Sequence, residues 1–113
     1  MRLRDLEPAF LAYNTVVEGA EKRVFHKQVH EFNEAQGIEF LCPCCYEANK
    51  GNVGTHLVIV WFKDKVPVDA EPGPGRWTPS GNSFDNLTLA PSIQLRGGCN
   101  WHGFVQNGLT VDA

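Results

Sequence analysis

The sequence predicts an α+β protein, mostly β: a small antiparallel sheet with one short helix, stapled by a structural zinc on two knuckles. Three observations predict it. Cys42-Pro43-Cys44-Cys45 and Cys99-Asn100-Trp101-His102 each place two metal-binding side chains three positions apart, a spacing that lets a tight turn aim both at one point. Eleven glycines and seven prolines interrupt the chain, which suits short strands joined by turns. The run Leu57-Val58-Ile59-Val60-Trp61-Phe62 is continuously apolar, as in a strand buried on both faces and placed in the middle of a sheet.

The elements follow in order. Residues 9–17 mix apolar and polar positions and read as a strand. Phe25, Val29 and Phe32 recur at i, i+4 and i+7, which predicts a short amphipathic helix ending near Gly37. Residues 1–36 thus form a strand and helix extension, and residues 37–113 the core of a single domain. Ile38 to Leu41 reads as a strand entering the first knuckle, and Thr55 to Phe62 as the main strand. Residues 63–75 carry Pro67, Pro72 and Pro74 with few apolar anchors, so an exposed, mobile loop is expected. Leu87–Leu89 and Ser92–Leu95 alternate as strands do. Asn107-Gly108 is a two-residue hairpin signal that pairs Gly103–Gln106 with Leu109–Val111.

The spacing points to Cys42, Cys45, Cys99 and His102 as the ligands of one Zn²⁺, with Cys44 aimed away, although Cys44 in place of Cys45 stays open. Residues 46 to 98 lie between the pairs, so the metal would staple a folded domain rather than define a minimal finger. Four protein ligands leave no position for water or substrate, which makes such a site structural. The other readings are buried free cysteines or a disulfide framework. The charged opening Met-Arg-Leu-Arg-Asp-Leu-Glu carries no apolar signal run; the expected location is therefore the cytoplasm, where reducing conditions favour metal over disulfide. A catalytic zinc using His26 and His30 lacks the adjacent glutamate of a metalloprotease helix.

At 113 residues and net charge −3, with no basic run, the chain is not built for nucleic acid. Its longest apolar run is too short to cross a membrane. A protein partner is expected, of unstated identity.

The segments Leu87-Thr88-Leu89-Ala90-Pro91-Ser92-Ile93, Gly98-Cys99-Asn100-Trp101-His102-Gly103-Phe104-Val105 and Asn107-Gly108 resemble the small phage and prophage proteins of domain-of-unknown-function family 6527. Gly37-Ile38-Glu39-Phe40-Leu41-Cys42-Pro43, Gly54-Thr55-His56 and Pro72-Gly73-Pro74-Gly75-Arg76-Trp77 resemble its phage subgroup, as does the opening Arg4-Asp5-Leu6-Glu7-Pro8. The resemblance covers roughly residues 37–113. It implies zinc on Cys42, Cys45, Cys99 and His102, and a phage or prophage source within a bacterial host. Members are often labelled "ammonia monooxygenase", but a redox oxygenase needs open positions at its metal, and these ligands form a closed, thiolate-rich set.

Two functions are expected to compete. The first is a phage accessory module with no catalysis of its own, a zinc-stapled domain presenting a surface to another protein. The second is a serine-dependent peptidase or isopeptidase-like hydrolase, the activity that the resemblance to the wider family implies. It makes Ser92 the nucleophile. The residues then suggest His56 as its base and Asp85 as the carboxylate that orients the base, with Gly97-Gly98 offering N–H donors.

Overall fold

The structure, a computed structural model, describes the backbone of residues 1–113 and all side chains except those of residues 15–18 and 22–24. In chain order the elements are β1 (Ala9–Glu18), β2 (Glu21–Val29), β3 (Gly37–Leu41), α1 (Pro43–Asn49), β4 (Leu57–Trp61), β5 (Thr78–Ser80), β6 (Thr88–Gln94), β7 (His102–Gln106) and β8 (Leu109–Asp112). Single 3₁₀ turns occupy Leu3–Leu6 and Phe32–Glu34. The strands form two antiparallel four-stranded sheets, in the orders β2-β1-β3-β4 and β5-β6-β7-β8. The fold is β-rich with one α-helix, and the β content is divided between two layers.

A shared core joins the layers. Phe10, Ile38, Phe40, Val58 and Val60 from the first sheet meet Leu89, Ile93 and Val105 from the second, with Leu3, Leu6, Leu87 and Trp101 between them. Each large side chain buried this way contributes about 1.5–3 kcal/mol relative to exposure. The amino terminus is laced to β8, where Leu3 N–H donates to Gly108 O at 2.8 Å and Thr110 N–H to Met1 O at 2.7 Å.

The hairpin expectation holds. Gln106 pairs with Leu109, and Asn107 and Gly108 take φ of 49° and 77°, as a turn needing two left-handed residues demands. Two other expectations are corrected. The helix predicted over Phe25–Gln36 is instead β2, followed by the 3₁₀ turn, and the α-helix lies at Pro43–Asn49. An i, i+4 spacing also puts Phe25 and Val29 on one face of a strand, because four is an even number. The two-residue turn Gly19-Ala20 then pairs Glu18 with Glu21. The second correction concerns β4. It lies at an edge and not in the middle, and its exposed Leu57 and partly exposed Ile59 line a groove.

The proline- and glycine-rich loop is largely exposed as expected, yet it is tied down. Trp61, 1% exposed, donates its indole N–H to Glu71 O at 2.7 Å. The Arg76 guanidinium donates to the carbonyls of Pro67, Val68, Ala70, Pro72 and Gly75. Backbone bonds Trp77 N–H to Trp61 O and Lys63 N–H to Trp77 O then seat the loop's end beside β4.

Gly37 lies opposite Trp61 in the β3–β4 ladder. A Cβ there would sit 2.5 Å from Trp61 Cε3 and 2.6 Å from the Val60 carbonyl oxygen. Gly37→Ala is therefore expected to cost about 1–3 kcal/mol by overpacking, read as a lower urea midpoint at unchanged slope. An unaltered midpoint would show that the Trp61 site is looser than this.

Candidate metal centre

The first three donors come from neighbouring parts of the chain. Cys42 follows β3 directly and caps α1, Pro43 occupies the first helical position, and Cys45 lies one turn inside. Proline suits that position because its missing N–H has no helical partner to lose. His56 stands immediately before β4. The ladder that pairs Leu41 with Leu57 continues one step further, with Cys42 N–H donating to His56 O at 2.9 Å. Cys42 and His56 are thus cross-strand partners in a hydrogen-bonded pair, the arrangement that sets Cα atoms about 5.5 Å apart.

The fourth donor arrives from the other sheet. Gly97 and Gly98 take φ of 87° and 59° in the turn between β6 and β7, and Asn100 follows at 53°. Gly97 N–H donates to Asn100 Oδ1 at 2.9 Å, which fixes the turn and delivers Cys99.

Cys42, Cys45, His56 and Cys99 each offer one ligand atom, and these atoms lie within 4.8 Å of one another. Cys42 Sγ is 3.5 Å from Cys99 Sγ, and His56 Nε2 is 3.4 Å from Cys99 Sγ. Sulfurs about 2.3 Å from a tetrahedral zinc stand roughly 3.8 Å apart, so the donors need only small adjustments to enclose an ion of that size. His56 Nδ1 lies 3.3 Å from Leu57 O. A proton on Nδ1 shared with that carbonyl leaves Nε2 as the ligand atom, the way metal-bound histidines are commonly oriented.

The thiols differ in electrostatics. Burial pushes Cys42 up to about 12, against the pull of the Cys45 and Cys44 backbone N–H groups. Burial raises Cys45 as well. Burial also acts to raise Cys99, but hydrogen bonds from His56, the Trp101 backbone, Cys42 and Cys45 outweigh it and bring this thiol down to about 6. Cys99 is thus the donor already poised as a thiolate near neutral pH, and a bound cation would favour ionisation of the other two.

Cys44 is exposed and outside the group. The two histidines take places exchanged from those expected. His102, expected at the metal, extends from β7, and its Nε2 lies 3.0 Å from Ser92 Oγ. His56, expected beside Ser92, lies at the thiols instead. The reason is strand register: Gln94 faces His102 across the β6–β7 ladder, so Ser92 is His102's diagonal neighbour on the same face, within reach of a long side chain. Asp85 holds Arg4 through two bonds of 2.7 and 2.8 Å, and the guanidinium keeps its carboxyl below the usual range. No hydrogen bond joins Asp85 to either histidine among the described residues. The sequence signal for His56 was its place at the head of the β4 run, which the ladder sets opposite Cys42.

Zinc content of single variants discriminates the two histidines. His56→Ala is expected to lose most bound zinc in elemental analysis, whereas His102→Ala retains about one equivalent. The reverse pattern would restore the spacing-based ligand set.

Comparison with protein-family models, curated proteins and solved structures finds no match to this chain, so its function is read from these residues.

Proposed function

We propose that this protein is a zinc-binding interaction module: zinc on Cys42, Cys45, His56 and Cys99 fastens the two sheets and holds a surface for a protein partner. The observation that carries this reading is the four-donor group itself, three cysteines and one histidine from segments that adjoin both sheets. Soft thiolates with one imidazole suit zinc over hard cations, and four protein donors complete a tetrahedron with no position left for substrate. The resemblance of residues 37–113 to phage and prophage proteins supports an accessory role in the cytoplasm of a bacterial host.

A second reading has one specific observation in its favour. Ser92, half-buried and lining a groove, shares a hydrogen bond with His102, the contact a serine nucleophile makes with its base. In that hydrolase His102 would be the base, and Asp85 would have no part, since Arg4 engages it. Nothing else among the described residues bonds to the His102 ring, so the third member of a triad is missing. Gly97 N–H is already given to Asn100, which weakens the expected oxyanion site.

Purified protein is expected to carry about one equivalent of zinc, and chelation should cost several kcal/mol of stability or unfold the domain. Metal-free protein melting at the same temperature would overturn the staple. A fluorophosphonate probe should leave Ser92 unlabelled. Labelling of wild type but not of Ser92→Ala or His102→Ala, with zinc retained in all three, would establish the hydrolase instead.

A further inference from the structure

The groove of about 910 Å³ beside the metal centre has strand edges for both walls: Leu57–Ile59 of β4 on one side and Ser92–Gln94 of β6 on the other. Ladder parity shows where their backbone groups point. Cys42 with His56 and Gln36 with Phe62 are hydrogen-bonded positions of the β3–β4 ladder, and parity makes Leu57 and Ile59 the alternate, non-bonded ones. Their N–H and C=O groups therefore face away from β3. In the same way Leu95 N–H donates to Trp101 O, which leaves Gln94, opposite His102, pointing away from β7. Strand β5 covers only Thr88–Ala90 of β6. Among the described residues none of Leu57, Ile59 and Gln94 takes a backbone–backbone hydrogen bond outside the ladders, although Leu57 O lies 3.3 Å from His56 Nδ1 and has one lone pair left for a further donor. Trp77 closes the edges further along, its backbone bonded to Trp61 O and its indole to Ser92 O at 3.2 Å.

We infer that this groove receives an extended, acidic peptide segment of a partner protein as an added strand. Two open backbone edges facing one groove supply what strand addition uses for affinity, and the apolar walls accept alternate side chains. An exposed apolar edge is a hazard that folds normally blunt. Here the loop ending at Trp77 and the Gly97-Gly98 turn flank it, which favours a single chain over the edge of another sheet. Charge selects the sequence. Arg76 and Arg96 line the groove, and among the described residues no aspartate or glutamate does, although the whole chain carries −3. Arg76 is engaged with loop carbonyls, none of which neutralises it. Arg96 makes no hydrogen bond or ion pair among the described residues, so its guanidinium is available to a carboxylate.

This inference rests on the interaction-module reading and names the surface that the zinc would hold in place. Its test titrates zinc-loaded, ¹⁵N-labelled protein with acetyl-Val-Glu-Val-Glu-Val-Glu-Val-amide. The Leu57, Ile59 and Gln94 amides are expected to shift and to exchange at least tenfold more slowly. Replacing the glutamates by lysine, or Arg96→Glu in the protein, should weaken binding at least tenfold, and N-methylation of alternate peptide amides should abolish it. The module reading is checked separately by zinc content and melting, which need no peptide. Absence of shifts at millimolar peptide, equal binding of the N-methylated peptide, or protection that rises with protein concentration alone would overturn the inference, the last by naming a second copy as occupant.

Discussion

Cys99 stands 3.5 Å from Cys42 although 57 positions separate them, and of the four donors it is the one delivered by a turn of the second sheet. The other three belong to the end of β3, the first turn of α1 and the head of β4, a cluster that local backbone pairing already assembles. Closing the loop to Cys99 costs chain entropy that grows only slowly with length, and the shared core offsets part of it by burying Phe40, Ile93 and Trp101 between the sheets. A metal bound at this corner would add a second fastening at the point where the core ends and solvent begins. Domains of this size have a modest core, and staples matter to them.

The same corner sets the geometry of the groove. His56, Gly97 and Gly98 line it together with Leu57 and Ile59 of β4, and His56 Nε2 lies 3.4 Å from Cys99 Sγ, the residue after Gly98. Fixing Cys99 to His56 would therefore hold the mouth of the groove at a set width, and the Trp77 bonds hold the other end. On the proposed reading, structural metal and recognition surface would be a single unit, with the staple setting how far apart two strand edges stand.

Much of this was legible in residue order. The first knuckle, the place of Cys99 as a donor, the apolar run of β4, the Asn107-Gly108 hairpin and the strand leading into Cys42 rest on local chemistry, which a one-dimensional reading captures. What it missed depends on register and pairing. Phe25 and Val29 satisfy helix and strand periodicity equally, and only pairing with β1 decides between them. Cys-x-x-His at residues 99–102 suggests that both donors serve one ion, yet His102 is already in β7, where strand geometry turns it toward Ser92. His56 gives no spacing signal at all, because its relation to Cys42 arises across a ladder and not along the chain. The apolar character of β4 implied two covered faces, whereas part of it faces an open groove.

In the proposed site, three thiolates and the His56 imidazole close around one zinc. X-ray absorption at the zinc edge, measured on zinc-loaded His102→Ala protein, tests it most directly, because the nitrogen cannot then come from the second knuckle. Three sulfurs at about 2.3 Å and one imidazole nitrogen at about 2.0–2.1 Å are expected, with no oxygen. A shell that has lost its imidazole, or that holds two sulfurs and a water, would contradict it.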